Sequence, residues 1–172
     1  RRFGASGLGV EINPALVRRS RQHARDAGVA ERVEFLEQDL FLTDLSRATV
    51  VTMYLLPEVN LQLRPRLLAL RPGTRVVSHD WDMGDWKPDQ TSVLPVPDKQ
   101  VGLEKNSRVH LRIVPARVAG RWCGPAGRLE LRQKHQELQA EMRSATGPRR
   151  VHARVEGASV VLEGTRFAVE GD

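Results

Sequence analysis

The sequence predicts an α/β fold, a mainly parallel sheet with helices on its faces, followed by a small C-terminal β-rich segment. Three observations predict it. Over residues 1–116, apolar strand-like runs alternate with helix-like runs, the pattern of parallel strands joined by crossovers. The first run, Gly7-Leu8-Gly9-Val10-Glu11-Ile12, ends in an acid and meets a helix start directly. From Val118 onward the texture changes to short strand-like runs separated by turn residues, with Gly157, Gly164 and Gly171 at a regular beat.

The elements follow in order. Gly7 to Ile12 is the first strand. Asn13 caps a helix and Pro14 takes its first position, where a missing N–H costs nothing. Along that helix Val17, Ser20, Ala24 and Ala27 keep the 3.6-residue spacing of a face turned to the sheet. Arg18, Arg21 and Arg25 form a neighbouring, solvated stripe, and Gly28 ends the helix. Val33 to Leu36 is a second strand. Ala48 to Met53, β-branched and apolar, reads as a strand buried on both faces. The loop Tyr54-Leu55-Leu56-Pro57-Glu58 opens a helix through Leu61, Leu67, Leu68 and Leu70, which Pro65 is expected to kink or split.

Pro72-Gly73 then turns the chain into a strand from Thr74 to Ser78. Asp80 to Gln100, with Trp81, Trp86, Pro88, Pro95 and Pro97, reads as an irregular loop covering the sheet. Val109 to Val114 is a strand. Beyond it, Arg128 to Leu131, Val151 to Val155, Ser159 to Leu162 and Arg166 to Val169 suggest small antiparallel hairpins of the kind that begin a sandwich or barrel. Residues 130–142 fit either a polar helix or strands. The expected organisation is therefore an α/β domain over 1–116 and a β-rich appendage over 117–172.

Composition narrows the class. A chain of 172 residues can hold one domain with a real core, and 40% hydrophobic with 28% charged residues is ordinary for a globular protein. No stretch approaches the roughly 18 consecutive apolar residues of a membrane span. The net charge of +6 suits an acidic partner, but the arginines are scattered rather than gathered into one run. Nucleic acid is thus an open partner, not the favoured one. Cys123 is the only cysteine, so no internal disulfide forms and a reducing, cytoplasmic setting is the simpler expectation. With no marked base to activate it, Cys123 reads as a packing residue. His79, Asp80 and Asp82 lie close in sequence, but neighbouring strand positions point to opposite faces, so no metal site is expected.

The acid at the end of the first strand carries the functional reading. In open α/β sheets such a side chain accepts hydrogen bonds from a nucleoside ribose. The order of elements resembles the Rossmann-type S-adenosylmethionine (SAM) dependent methyltransferases over residues 1–116. More narrowly, Asp39-Leu40-Phe41, Tyr54 to Asn60 and Ser78-His79-Asp80 are similar to bacterial methyltransferase-domain proteins. These are related to the lysine methyltransferases that modify an ATP-synthase subunit, and more distantly to histone methyltransferases.

The resemblance implies a role for each matching position. Glu11 would hold the ribose hydroxyls of SAM. Asp39 would accept from the adenine amino group, with Leu40 or Phe41 packing the ring. Tyr54 and its loop would shape the channel for the acceptor nitrogen, and His79, Asp80 and Trp81 would line the acceptor side. Methyl transfer is an in-line displacement that depends mostly on positioning and desolvation. A lysine must still lose its proton, and Glu58 and Asp80 are the candidates to steer that step.

The resemblance also implies an acidic-x-Gly-x-Gly loop about 20 residues before the ribose-binding acid. Only ten residues precede Glu11, so the sheet is expected to be incomplete at its amino end. The expected function is SAM-dependent methyl transfer to a protein lysine. A small-molecule acceptor, or a non-catalytic module binding nucleic acid or protein, is the alternative.

Overall fold

The computed structural model describes residues 3–100, 104–125 and 127–169. Its chain is mixed α/β and mostly strand, and it divides into two compact units, Arg1–Leu45 and Ser46–Asp172. Gly171 lies outside the described residues.

The first unit is one strand–helix–strand unit. Strand β1 (Gly7–Glu11) leads into helix α1 (Pro14–Asp26), and strand β2 (Val33–Glu37) returns parallel to β1, with Glu11 opposite Glu37. The helix forms where the sequence marks it. Asn13 Oδ1 accepts from the Ala15 N–H at 2.9 Å, relieving one of the orphan donors of the first turn. Past the last turn, Gly28 adopts φ +64, its N–H bonds to Arg25 O, and the Val29 N–H reaches Ala24 O. That is the paired closure that favours glycine after a helix. Val17 and Ala24 are buried as their spacing predicts, Ser20 is half-buried, and Ala27 is exposed because it caps the helix instead of continuing its face.

The second unit opens with a four-stranded sheet. Strand β3 (Val50–Met53), helix α2 (Pro57–Leu67) and strand β4 (Arg75–His79) form another crossover, with β3 and β4 parallel. Two more strands, β5 (Gln90–Pro95) and β6 (Asn106–Ile113), complete the order β3-β4-β6-β5, and β6 runs antiparallel to both its neighbours. Strand β3 buries Met53 but exposes Val50 and Thr52, so it is covered less than its composition predicts. Pro65 does not split α2. It sits near the carboxyl end, where the helix continues only to Leu67.

The expected irregular loop at 80–100 holds the edge strand β5. Every residue of β5 is exposed, and Pro95 closes it at its end, where a missing donor is tolerated. The loop before it does cover the sheet. Met83 and Trp86 are fully buried, over an equally buried Arg112 whose Nε donates to Trp86 O at 2.7 Å and whose Nη1 donates to Ser78 Oγ at 3.1 Å. Burial lowers the pKa of that guanidinium, and the charges of Asp82 and Asp89 oppose the shift.

The remainder is one antiparallel seven-stranded sheet. Its strands are β7 (Gly120–Gly124), β8 (Gly127–Lys134), β9 (Glu137–Ser144), β10 (Gly147–Val151), β11 (Ala153–Glu156), β12 (Ser159–Leu162) and β13 (Thr165–Ala168). The order is β13-β12-β11-β9-β8-β7, with β10 paired to β9. Residues 130–142 are therefore strands. Leu129, Leu131 and Gln133 alternate with polar residues, as do Leu138, Ala140 and Met142, and this two-residue period gives no helical stripe. His135, at φ +54, turns between them. Buried Leu131, Ala140, Val151, Val155 and Val160 form a core with Ala116 and Val118. The sheet coils so that Trp122 of β7 and Phe167 of β13, on opposite edges, line one apolar cavity of about 390 Å³. Cys123 is exposed on the edge strand β7 instead of packing.

Candidate functional site

In open α/β sheets the ligand-binding end is the carboxyl end of the strands. The candidate residues of the first unit all gather there. Glu11 is the last residue of β1, half-buried, and its Oε1 accepts from the Asn13 N–H at 2.9 Å. That bond ties the carboxylate to the start of α1, where the positive end of the helix favours it. The Gln38 N–H donates to Glu11 O, so the segment after β2 continues beside the end of β1. Asp39 follows immediately. Its Oδ1 accepts from the Phe41 N–H at 2.8 Å and caps a short 3-10 turn over Leu40–Leu42. Both acids thus stand at the ends of paired strands, with half-buried Leu40 and Phe41 just beyond. Two carboxylates beside apolar surface are an acceptor set suited to a nucleoside: its diol and amine donate, and its ring packs.

Ile12, directly after Glu11, is 71% exposed. Periodicity places it only as part of the strand. The signal that marks it is an apolar side chain set between an acid and a helix cap.

The second unit presents its own cluster at the carboxyl ends of β3 and β4. Met53 is opposite Ser78, so the next residues, Tyr54 and His79, are also neighbours. Their ring centroids are 4.4 Å apart and the rings are tilted by 43°. Tyr54 is half exposed. Asp80 follows with φ +60, a left-handed conformation uncommon for a residue with a side chain. It is held there from three directions. Its N–H donates to Arg108 O, its Oδ1 accepts from the Arg108 N–H at 2.8 Å, and its Oδ2 lies 2.7 Å from Lys99 Nζ. Partial burial raises the Asp80 pKa, but these bonds and the charges of His79 and Lys99 outweigh it and leave the carboxyl below its usual range.

Glu58 lies in the first turn of α2, exposed, where the helix dipole favours an anion. Trp81 is 37% exposed and Asp82 accepts from the Gly84 N–H. Among the described residues, no group of three or more His, Cys, Asp or Glu side chains is placed to hold a metal ion. The structure thus brings Tyr54, His79 and Asp80 together in one unit, and Glu11 with Asp39, Leu40 and Phe41 in the other.

Known proteins bear on the whole arrangement. Residues 1–90 match the family described as ANTKMT methyltransferase domain. The chain is similar to a protein-lysine N-methyltransferase of Saccharolobus islandicus (strain REY15A), 39% identical over 108 residues, which cover 62% of this chain and 63% of that protein. It is similar to the adenine nucleotide translocase lysine N-methyltransferase of Mus musculus, 37% identical over 82 residues, covering 47% of this chain and 36% of the relative. The match therefore spans less than two thirds of either curated relative. Among solved structures, an RNA methyltransferase from Salinibacter ruber in complex with S-adenosyl-L-homocysteine is 51% identical, with a TM-score of 0.57, and the match covers 67% of this chain and 69% of that one.

Proposed function

The chain belongs to the ANTKMT methyltransferase domain family, and on that premise we propose that it belongs to a SAM-dependent methyltransferase whose acceptor is a protein lysine. The observation that carries this reading is the pair of acids at the ends of β1 and β2. Both are anchored by backbone N–H groups, and both lie beside apolar surface. The names of the Saccharolobus and mouse relatives support the acceptor class. Two parallel crossovers, β1-α1-β2 and β3-α2-β4, support a Rossmann-like sheet.

SAM, when bound, supplies a methyl group on an electrophilic sulfonium. The chain's own residues bind and orient. Glu11 would hold the ribose hydroxyls, and Asp39 would accept from the adenine amino group, with Leu40 or Phe41 packing the ring. Tyr54 shapes the approach of the acceptor nitrogen, Glu58 acts on its charge, and Asp80 lines the acceptor side. In this reading residues 1–116 form the methyltransferase-like part and 117–172 a β-rich appendage, in a cytoplasmic protein. No helix of the described residues is long and apolar enough to cross a membrane.

The similarity to the Salinibacter RNA methyltransferase favours one second reading, an RNA acceptor on the same site. One experiment separates the two. SAM is titrated calorimetrically into this chain and into the product of the whole gene, and transfer of a labelled methyl is followed to poly-L-lysine and to transcribed RNA. Saturable SAM binding that Glu11→Ala abolishes, with label on poly-L-lysine, is the expected result. Label on RNA alone shifts the acceptor to nucleic acid. No SAM binding by either protein sinks the enzyme reading.

A further inference from the structure

The Asp80 carboxylate is fully engaged by the fold. One oxygen takes the Arg108 N–H and the other takes Lys99, whose Nζ also donates to Asn106 O at 2.6 Å. Both side chains are nearly closed off, 12% and 13% exposed. A carboxylate so held is a poor receiver for a proton from an incoming amine, because accepting it would cost the lysine pair and leave buried Lys99 uncompensated. His79, in contrast, is 38% exposed, its ring tilted against Tyr54, with Nε2 3.7 Å from Asp80 Oδ2. Its backbone is fixed within the β4–β6 ladder opposite Val109.

Resting on the methyltransferase reading above, we propose that His79 is the catalytic base for the acceptor, and that Asp80 with Lys99 are positioning residues that hold its ring against Tyr54. The acceptor ammonium gives one proton to the neutral imidazole. Its freed lone pair forms the N–C bond as the methyl–sulfur bond breaks, and sulfur leaves as a neutral thioether. The imidazolium then releases its proton to water through its exposed edge. Such a relay matters because a lysine with a pKa of about 10.4 is almost wholly protonated at neutral pH. Among the described residues, Tyr54 from the end of β3 packs against this ring, and Asp80, paired with Lys99, lies beside it.

The test uses the protein from the whole gene, with SAM and poly-L-lysine. First, calorimetry on the wild type decides whether SAM binds; if it does not, the function reading and this proposal fall together. With SAM bound, His79→Asn should leave the SAM Kd unchanged and lower kcat about 100-fold at pH 7. It should also flatten the rise of rate with pH that a histidine base gives. Added imidazole should restore part of the rate in His79→Ala, which a purely structural histidine would not allow. Independently of turnover, the His79 ring resonance in the NMR spectrum should move when acetyl-lysine methyl ester is added. An unchanged rate and pH profile in His79→Asn, or a loss that imidazole does not rescue while the ring resonance stays fixed, overturns the proposal.

Discussion

Gly9 shows how a single residue is dictated by its neighbour across the sheet. It stands opposite Phe35, and a Cβ built on it would lie 2.5 Å from Phe35 Cδ1 and 2.7 Å from Cε1. The ring occupies the space a side chain would need. Overpacking of this kind costs about 1–3 kcal/mol, so Gly9→Ala should lower stability by that amount in a urea titration. A loss below about 0.5 kcal/mol would mean that the ring swings aside at little cost. Gly127 is constrained more tightly, since it adopts φ +128 and its Cβ would meet Arg143 O at 2.2 Å. At Asp80 the logic reverses. A non-glycine residue takes a left-handed conformation because two bonds to Arg108 and one to Lys99 fix it there.

At the scale of elements, Asp85 joins three of them. From the loop after β4 it meets Arg64 of α2 at 2.6 Å, Lys134 of β8 at 3.1 Å and His135 of the β8–β9 turn at 3.4 Å. Lys87 adds a bond to Glu137 of β9, and Gln136 donates to Lys87 O. The β8–β9 hairpin is thereby tied to the loop that covers the four-stranded sheet. Hydrogen bonds from Lys134 and His135, with the charges of Lys134 and Arg64, lower the Asp85 pKa to about 2. A depressed carboxyl pKa adds stability above its unfolded value and loses it as pH falls through the folded one. The melting-temperature gap between wild type and Asp85→Asn should therefore hold steady above about pH 5 and close between about pH 4 and 2. A gap that persists unchanged at pH 2 would show that the interactions do not depend on the carboxylate charge. The exposed position keeps the effect modest at high salt.

For the whole molecule, the division into two compact units has a thermodynamic consequence. The first unit rests on a two-stranded sheet and one helix, an amount of structure that is marginal by itself. The second contains a four-stranded sheet, a seven-stranded sheet and a buried cluster around Leu131, Ala140 and Val155. Amide hydrogen exchange should follow that difference, with the β1 and β2 amides exchanging well before those of β8 and β9. Equal protection in both units would show that they open only together.

The sequence by itself determined what short-range physics can write. Asn13-Pro14 and Gly28 specify the ends of α1 because capping depends on a few adjacent residues. The period-two runs after Val118 specify strands, and Glu11 marks a strand end because an acid closing an apolar run is a local pattern. Tertiary structure decided the rest. It made a strand of Gln90–Pro95 by pairing it with β6, a ladder no local propensity reveals. It chose hairpin over helix for residues 130–142, buried Arg112 beneath Trp86, and left Cys123 on an open edge. It also assigned Asp80 to Lys99 and the Arg108 backbone, leaving His79 half-buried beside Tyr54 at the end of β4. Those outcomes depend on which distant groups meet, and only the folded chain brings them together.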